Sequence, residues 1–181
     1  GALTELHHPH LRVVPKDALD LDWSTITGGQ EARLVANLPY NIAARLIIEC
    51  LEQAPCVREL FVMVQREVGE RFAAAVSSRD SSVATVLARY WSTVELCGPV
   101  PRSVFLPQPR VDSVLVRFVR TRSLSGHEYR SFTALVKAGY RQRRKQVVNS
   151  LRGLVDGEDV ASVGVSAQAR AEQLSLNEWI Q

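Results

Sequence analysis

Four consecutive residues, Asn37-Leu38-Pro39-Tyr40, have side chains suited to binding a nucleic-acid base. An asparagine oxygen and a neighbouring backbone carbonyl can accept both hydrogens of an exocyclic amine, which localises the nitrogen lone pair. Pro39 donates no backbone hydrogen bond and restricts Leu38 to an extended conformation, so the carbonyl of Leu38 can face outward. Tyr40 offers a flat surface on which a base can stack. The pattern fits an amine that attacks an electrophile, although composition alone favours a plain turn.

The elements around this motif predict that it lies at a ligand-binding edge. Residues 34–36 form a short apolar run that predicts a strand, and apolar residues recur at helical spacing over 42–51, with Asn41 as the N-cap. Asn37 then follows a strand directly, which is where α/β sheets bind ligands. Residues 11–14 predict a second strand, and Asp17 follows its carboxyl end.

Strands and helices continue to alternate as far as residue 120. Further strands are predicted at 59–64, 93–97 and 114–119, and helices at 66–75 and 82–91. Alternation of this kind predicts an α/β sheet with helices on both faces.

The pattern changes after a polar segment at residues 121–126, which we interpret as a linker. Helices are predicted at 127–151 and 167–173, and Ser175 with Glu178 three residues later forms a capping box that starts a last helical turn. The sequence therefore predicts an α/β domain over residues 1–120 and a small helical domain over 121–181.

The positive charge is concentrated in this second part. Residues 120–152 contain nine Lys or Arg residues and one acid, Glu128, which gives +8 there and leaves −5 for the rest of a chain of net charge +3. A basic block of this kind favours a polyanionic partner, while a solvated helix face is the plainer alternative.

Composition and patterning exclude several other classes of protein. Hydrophobic residues make up 46% and charged residues 23% of the 181 residues, as in folded globular chains. No apolar run approaches the roughly 18 residues needed to cross a bilayer, and residues 1–9 lack a signal-peptide pattern, so we expect a cytoplasmic protein with no membrane partner. Three scattered cysteines and the cluster of His7, His8 and His10 supply no recognisable ligand set, so we expect no metal site.

Four blocks in the same order resemble the rRNA adenine dimethyltransferase family. They are residues 37–43, Gln65-Arg66-Glu67-Val68 with Arg71, the stretch Val-Phe-Leu-Pro-Gln-Pro-Arg-Val-Asp-Ser at 104–113, and Gln142-Arg143-Arg144-Lys145 with Asn149-Ser150. The resemblance extends over residues 11–180. It implies a Rossmann-like S-adenosylmethionine-dependent methyltransferase sheet with a small C-terminal all-helical domain, acting on the exocyclic amine of adenines in ribosomal RNA.

The resemblance also implies roles for residues on the acceptor side. Asn37 resembles the catalytic asparagine that contacts the target amine and the methyl donor, Leu38 and Pro39 shape the loop, and Tyr40 stacks on the base. Phe105 resembles the aromatic residue that closes the other face of the base, although by itself a Phe before a proline-rich loop is more often a core residue.

On the donor side, Asp17 resembles the acid that binds the adenine amino group of S-adenosylmethionine, with Ala18 beside it, although a loop cap also explains Asp17. Gly1 resembles the end of the family's glycine-rich turn. The basic residues Arg141, Arg143, Arg144 and Lys145 are interpreted as contacts to RNA phosphates.

The chain departs from the family pattern near its start. Residues 1–6 are similar to the end of the glycine-rich turn, and residues 10–14 to the strand before Asp17. The family separates these pieces by a further strand and an acid that holds the ribose hydroxyls. We therefore expect that the sequence omits an N-terminal and an internal segment, which an intact mass would test.

Three functions remain open at this point. The resemblance favours a monomeric enzyme that dimethylates adenines of small-subunit rRNA during ribosome biogenesis, with the small subunit as its partner. A resistance-type enzyme acting on large-subunit rRNA is the near alternative. A non-catalytic RNA-binding assembly factor is the third.

Overall fold

The computed structural model describes residues 9–122 and 126–181, and its centre is a four-stranded mixed sheet. The strands are β1 (Ala32–Asn37), β2 (Val57–Gln65), β3 (Ser92–Val100) and β4 (Ser113–Arg120). Their order is β1-β2-β4-β3, with β1 parallel to β2, and β4 antiparallel to both β2 and β3. The four strands predicted between residues 34 and 119 are confirmed, each slightly longer than its apolar run.

Helices connect and cover these strands. In chain order they are α1 (Trp23–Thr27), α2 (Ala43–Gln53), α3 (Arg66–Ala73), α4 (Val83–Trp91), α5 (Gly126–Arg141), α6 (Val147–Ser150), α7 (Gly157–Ser162) and α8 (Leu176–Ile180). The start of α4 is fixed by a capping box between Ser82 and Thr85, and that of α8 by the predicted box between Ser175 and Glu178. Such caps satisfy amide groups that the first helical turn leaves unpaired.

The core lies between the sheet and these helices. β2 and β4 contribute alternate side chains that are fully buried, among them Val62, Val116 and Phe118. Phe72 of α3 packs edge-on against Phe118, with ring centroids 5.3 Å apart. Phe72 is thus directed into the core, where it is 1% exposed. Burying apolar side chains on this scale is the main source of stability for a domain of this size.

Aromatic packing joins the C-terminal helices to the sheet part. Tyr90 of α4 lies 4.5 Å, between ring centroids, from Phe132 of α5, and Trp91 lies 4.7 Å from Tyr129. The guanidinium of Arg120 lies over Trp91 and donates to carbonyls at the end of α2. Helix α5 is thus anchored on α4. The domain boundary at residue 120 stays a prediction.

Several predicted elements differ in the structure. Residues 11–14 are not a strand, because no described strand pairs with them and Leu11 and Val13 are exposed. The predicted helix over 127–151 ends at Arg141, and Val147 resumes a short helix after its amide donates to the carbonyl of Ala169. The helix predicted at 167–173 shortens to a 3₁₀ turn, Ala171–Gln173.

Other local predictions also need correction. Helices α1 and α7 were not predicted from the sequence; Asp22 caps the first and Asp156 the second. Asn41 is not the N-cap of α2, because Ile42 occupies that position and makes no side-chain cap. Over residues 9–122 and 126–181, no helix combines the length and apolarity needed to cross a membrane.

Candidate functional site

Asn37 is the last residue of β1, at the edge where parallel strands present groups to ligands. It pairs in register with Met63 of β2, and the next residue, Leu38, donates its amide to the carbonyl of Met63 at 3.2 Å. Leu38 is buried, whereas Asn37 and Pro39 are exposed. The backbone is therefore held by β2 and by the core, while the polar side chain of Asn37 faces outward.

A cavity of about 300 Å³ opens beside this turn. It is lined by Asn37, Leu38, Pro39, Tyr40, Phe105, Pro107 and Pro109. The volume lies at the lower end of the range of roughly 300 to 1,000 Å³ found for small-molecule sites. The structure thus brings together the five residues that the sequence suggests for the acceptor side, although they lie in two loops more than sixty positions apart.

Tyr40 is fixed in this cavity by a residue whose role the sequence did not suggest. Its hydroxyl oxygen lies 2.8 Å from Oγ of Ser113, a buried residue at the start of β4. Ser113 pairs in register with Gln65 of β2, so its position is set by the centre of the sheet. No sequence signal beyond its place in the 104–113 block identifies Ser113, because the contact spans 73 positions.

Phe105 lies in the loop between β3 and β4, and hydrogen bonds brace this loop. The amide of Arg102 donates to Oδ1 of Asp112 at 2.9 Å, and the Arg102 guanidinium donates to the carbonyl of Arg110 at 3.2 Å. The amide of Phe105 closes a tight turn with the carbonyl of Arg102 at 3.3 Å. Pro101, Pro107 and Pro109 further limit the backbone. The half-buried Phe105 ring is thereby held at the cavity wall.

The chemistry of this cavity suits a planar ring that carries an amine. Tyr40 and Phe105 supply two aromatic surfaces, and base stacking on one such surface is worth about 1 to 3 kcal/mol. Asn37 adds a carbonyl oxygen that can accept a hydrogen bond from the amine. Asparagine does not titrate near neutral pH, so its role does not depend on a shifted pKa.

Asp17 and Ala18, which are predicted for the donor side, are not among the residues that line this cavity. Oδ1 of Asp17 accepts the amide of Leu19 at 2.9 Å and caps the 3₁₀ turn Ala18–Asp20, so the loop-cap interpretation describes its contact. The pKa of the nearby Arg45 is raised chiefly by Glu49, with a smaller contribution from Asp17. Ala18 packs against the core. Gly1, like His7 and His8, lies outside the described residues.

The predicted RNA-contacting residues differ in their surroundings. Arg141, Arg144 and Lys145 are exposed at and beyond the end of α5. Arg143 is half-buried, with Nε 2.5 Å from a carboxylate oxygen of Glu172, and it also donates to the carbonyl of Arg79. A phosphate contact by Arg143 stays a prediction. The phosphate would have to bind a guanidinium that is already paired with Glu172.

Other members of the basic block also have structural contacts. The Arg120 guanidinium is half-buried, and this burial lowers its pKa; it donates to the carbonyl of Val57 at 3.0 Å. The Arg122 guanidinium lies 4.8 Å from the centre of the Tyr90 ring. The positive charge of residues 120–152 is therefore not uniformly available to a partner.

Comparison with known proteins gives a match over the whole chain. The family model for ribosomal RNA adenine dimethylase matches residues 2–181. A relative named ribosomal RNA small subunit methyltransferase A, from Neisseria gonorrhoeae (strain NCCP11945), is 37% identical over 166 residues, covering 91% of this chain and 63% of the relative. A protein of the same name from Xanthomonas axonopodis pv. citri is 34% identical over 182 residues, covering 98% of this chain and 70% of that relative. The chain thus spans less than two thirds of the Neisseria relative.

Two solved structures share the fold. A dimethyladenosine transferase from Plasmodium falciparum superposes with a TM-score of 0.81 at 22% identity, covering 99% of this chain and 73% of that one. The 23S rRNA methyltransferase ErmE superposes with a TM-score of 0.72 at 22% identity, covering 99% of this chain and 72% of that one. These matches confirm the predicted α/β, Rossmann-like fold class.

Proposed function

The chain belongs to the ribosomal RNA adenine dimethylase family, and from this we propose that it transfers methyl groups from S-adenosylmethionine to the exocyclic amine of adenines in small-subunit rRNA. The observation that carries the proposal is the cavity at the end of β1, where Asn37, Tyr40 and Phe105 come together. The name of the Neisseria and Xanthomonas relatives favours the small subunit over the large one.

The reaction requires that the target adenine leave its stack and enter the cavity. An adenine inside a duplex or a stacked loop cannot present its amine, so enzymes of this kind extrude the base. Tyr40 and Phe105 would hold the two faces of the extruded ring. The Ser113 hydroxyl fixes the orientation of Tyr40 before the RNA arrives, which lowers the entropy lost on binding.

Asn37 would activate the amine by accepting a hydrogen bond. The lone pair of an adenine amine is delocalised into the ring, so the nitrogen is a poor nucleophile. When the Asn37 oxygen and a backbone carbonyl of the loop accept both amine hydrogens, the nitrogen becomes more tetrahedral and its lone pair faces the donor. The nitrogen then forms a bond to the methyl carbon as the carbon–sulfur bond breaks. The resulting ammonium loses its proton to water, so no protein base is needed.

S-adenosylmethionine would supply an electrophilic methyl group on a sulfonium. The residues predicted to hold it are Asp17, Ala18 and Asn37, with Gly1. Asp17 fits in part: Oδ1 accepts the amide of Leu19 in the 3₁₀ turn, and a carboxylate has a second oxygen that can accept from an amino group. Asn37 lies at the same end of the sheet as the cavity, consistent with a residue that contacts both donor and acceptor.

RNA binding would use the exposed end of α5. Arg141, Arg144 and Lys145 can contact phosphates without reading sequence, and Arg143 would do so while paired with Glu172. We further propose that the protein acts as a monomer in the cytoplasm, with immature small ribosomal subunits as its partner.

Transfer of labelled methyl groups to immature small ribosomal subunits tests this proposal. The subunits come from cells that lack the protein, and mature subunits serve as the control acceptor. The proposal predicts incorporation into the immature particles and recovery of dimethylated adenosine after nuclease digestion. Incorporation into large-subunit RNA alone would favour the resistance-type activity. RNA binding without any transfer would favour a non-catalytic assembly factor.

A further inference from the structure

The loop that holds Phe105 also presents an aliphatic side chain to solvent. Leu106 is 99% exposed, although Phe105 beside it lines the base cavity. Phe105 has an extended backbone, with φ −102° and ψ 146°, so successive side chains in this loop point in different directions. Single exposed apolar residues are common on protein surfaces. This one is distinguished by its position between Phe105 and Pro107, which both line the cavity.

The loop that carries Leu106 is braced at its base and stiffened by prolines. Asp112 and Arg110 bind Arg102, which closes the loop at its base. Pro101, Pro107 and Pro109 limit backbone rotation on both sides of Leu106. The side chain is therefore held in water next to the place where a base would enter.

Extrusion of an adenine leaves a gap in the RNA stack that an aliphatic side chain can fill. Removal of one base from a stack costs free energy and leaves a gap between two apolar base faces. Proteins that distort nucleic acids fill such gaps with Leu, Ile, Met, Phe or Pro. An aliphatic group that leaves water to enter the gap also gains from burial.

We propose that Leu106 is a wedge that occupies the gap left in the RNA stack when the target adenine enters the cavity. This inference rests on the proposed methyl transfer to adenine. Leu106 is then a positioning residue: it stabilises the RNA conformation in which the base lies between Tyr40 and Phe105, and it takes no part in the chemistry.

The test is steady-state methyl transfer to immature small subunits by L106A, L106M and V104A. We expect L106A to lower kcat about tenfold with KM within about twofold of wild type, because the wedge acts after RNA has bound. L106M should keep at least half of the wild-type kcat, since methionine also fills gaps of this kind. V104A is the matched control, because Val104 is a 66% exposed aliphatic residue of the same loop that, unlike Leu106, does not lie between two cavity-lining residues. It should retain wild-type kcat.

The outcomes separate this inference from the proposed function. Wild-type transfer together with an unchanged kcat in L106A overturns the wedge alone. An equal loss of kcat in V104A, or in L106M, also overturns it, because the effect would then belong to the loop in general. The thermal midpoint of L106A should match wild type, since the side chain makes no buried contact. No transfer by the wild-type protein overturns both proposals.

Discussion

Tyr40 illustrates how a single contact prepares the site. Its hydroxyl lies 2.8 Å from the buried hydroxyl of Ser113, so the ring is oriented without any help from RNA. A phenylalanine at position 40 would offer the same aromatic surface but would lose this restraint. Removal of the Tyr40 hydroxyl also leaves the buried Ser113 hydroxyl without this partner, which is costly in a protein interior.

The variants Tyr40→Phe and Ser113→Ala test this coupling. Because a hydrogen bond contributes roughly 1 kcal/mol net, each variant should lower kcat/KM for methyl transfer by about fivefold. The double variant should lose no more than either single variant, since both remove the same contact. Losses that multiply in the double variant would show that the two hydroxyls act independently.

Cys50 provides a prediction for pH. Burial raises the pKa of its thiol from an ordinary value of 9.0 to about 12, with Arg120 opposing the shift. Because the folded pKa is the higher one, this thiol stabilises the fold fully below about pH 9, and the contribution is lost as pH rises towards 12. At pH 8.5, iodoacetamide should modify the exposed Cys97 and leave Cys50 unmodified until urea unfolds the protein.

Peptide mapping by mass spectrometry distinguishes these two thiols. Equal rates of modification at Cys50 and Cys97 in the native protein would contradict the burial that we describe. Between about pH 9 and 12 the free energy of unfolding of wild type should also fall more steeply than that of C50A.

At the scale of elements, α3 depends on a close approach to β4. A methyl group on Gly69 would overlap Cγ1 of Val114 and contact Val116. Alanine has the higher helix propensity by about 1 kcal/mol, but overpacking of a tight interface costs about 1 to 3 kcal/mol. We expect Gly69→Ala to lower the free energy of unfolding by about 1 to 2 kcal/mol in urea titrations.

Gly157 offers a matched control for this substitution. It lies at the start of α7 with open space where a methyl group would project. Gly157→Ala should change the free energy of unfolding by less than about 0.5 kcal/mol, or raise it slightly. An equally large loss at both positions would mean that backbone freedom, and not contact with Val114, explains the effect.

The elements that sequence patterns predict well are those with strong local signals. β4 and α4 combine an unambiguous apolar period with clear ends, and their bounds agree with prediction to within about one residue. Residues 11–14 have the apolar character of a strand but lack a partner in the described sheet, which no local pattern reveals. The long helix expected after residue 126 ends at Arg141, and the amide of Val147 beyond it bonds to the carbonyl of Ala169, a tertiary contact that no local pattern reveals.

At the scale of the whole molecule, the net positive charge is concentrated in residues 120–152, which carry +8 against −5 for the rest of the chain. Arg144 and Lys145 are exposed there. Each phosphate contact that is lost should reduce the slope of log affinity against log salt by roughly 0.7 to 0.9. We expect R144Q to weaken RNA binding and lower that slope by about this amount.

Arg58 is a suitable control for the salt dependence. It is an exposed arginine at the start of β2, paired with Glu31, and it lies outside the basic block. R58Q should leave the slope unchanged in the same filter-binding titrations. Identical slopes for wild type and R144Q would remove Arg144 from the RNA interface.

Only part of the candidate site could be predicted from the sequence. Asn37, Tyr40 and Phe105 could be named from residue types and from a family resemblance, and the fold places them around one cavity. The support of Tyr40 by Ser113 could not be predicted, because it depends on strand pairing across the sheet. Nor could counting charges reveal that Arg143 is paired with Glu172.

The most direct test of the account is methyl transfer by Asn37→Ala, measured beside RNA affinity. Asn37 is exposed, so its loss should not disturb the fold, and Asn41→Ala removes another exposed asparagine from the same loop as a control. We predict that N37A abolishes labelled methyl transfer to immature small subunits while its RNA dissociation constant stays within about twofold of wild type. N41A should retain both the methyl transfer and the RNA affinity of wild type. Near-normal transfer by N37A, or a loss of transfer that only follows a loss of RNA affinity, would contradict the account.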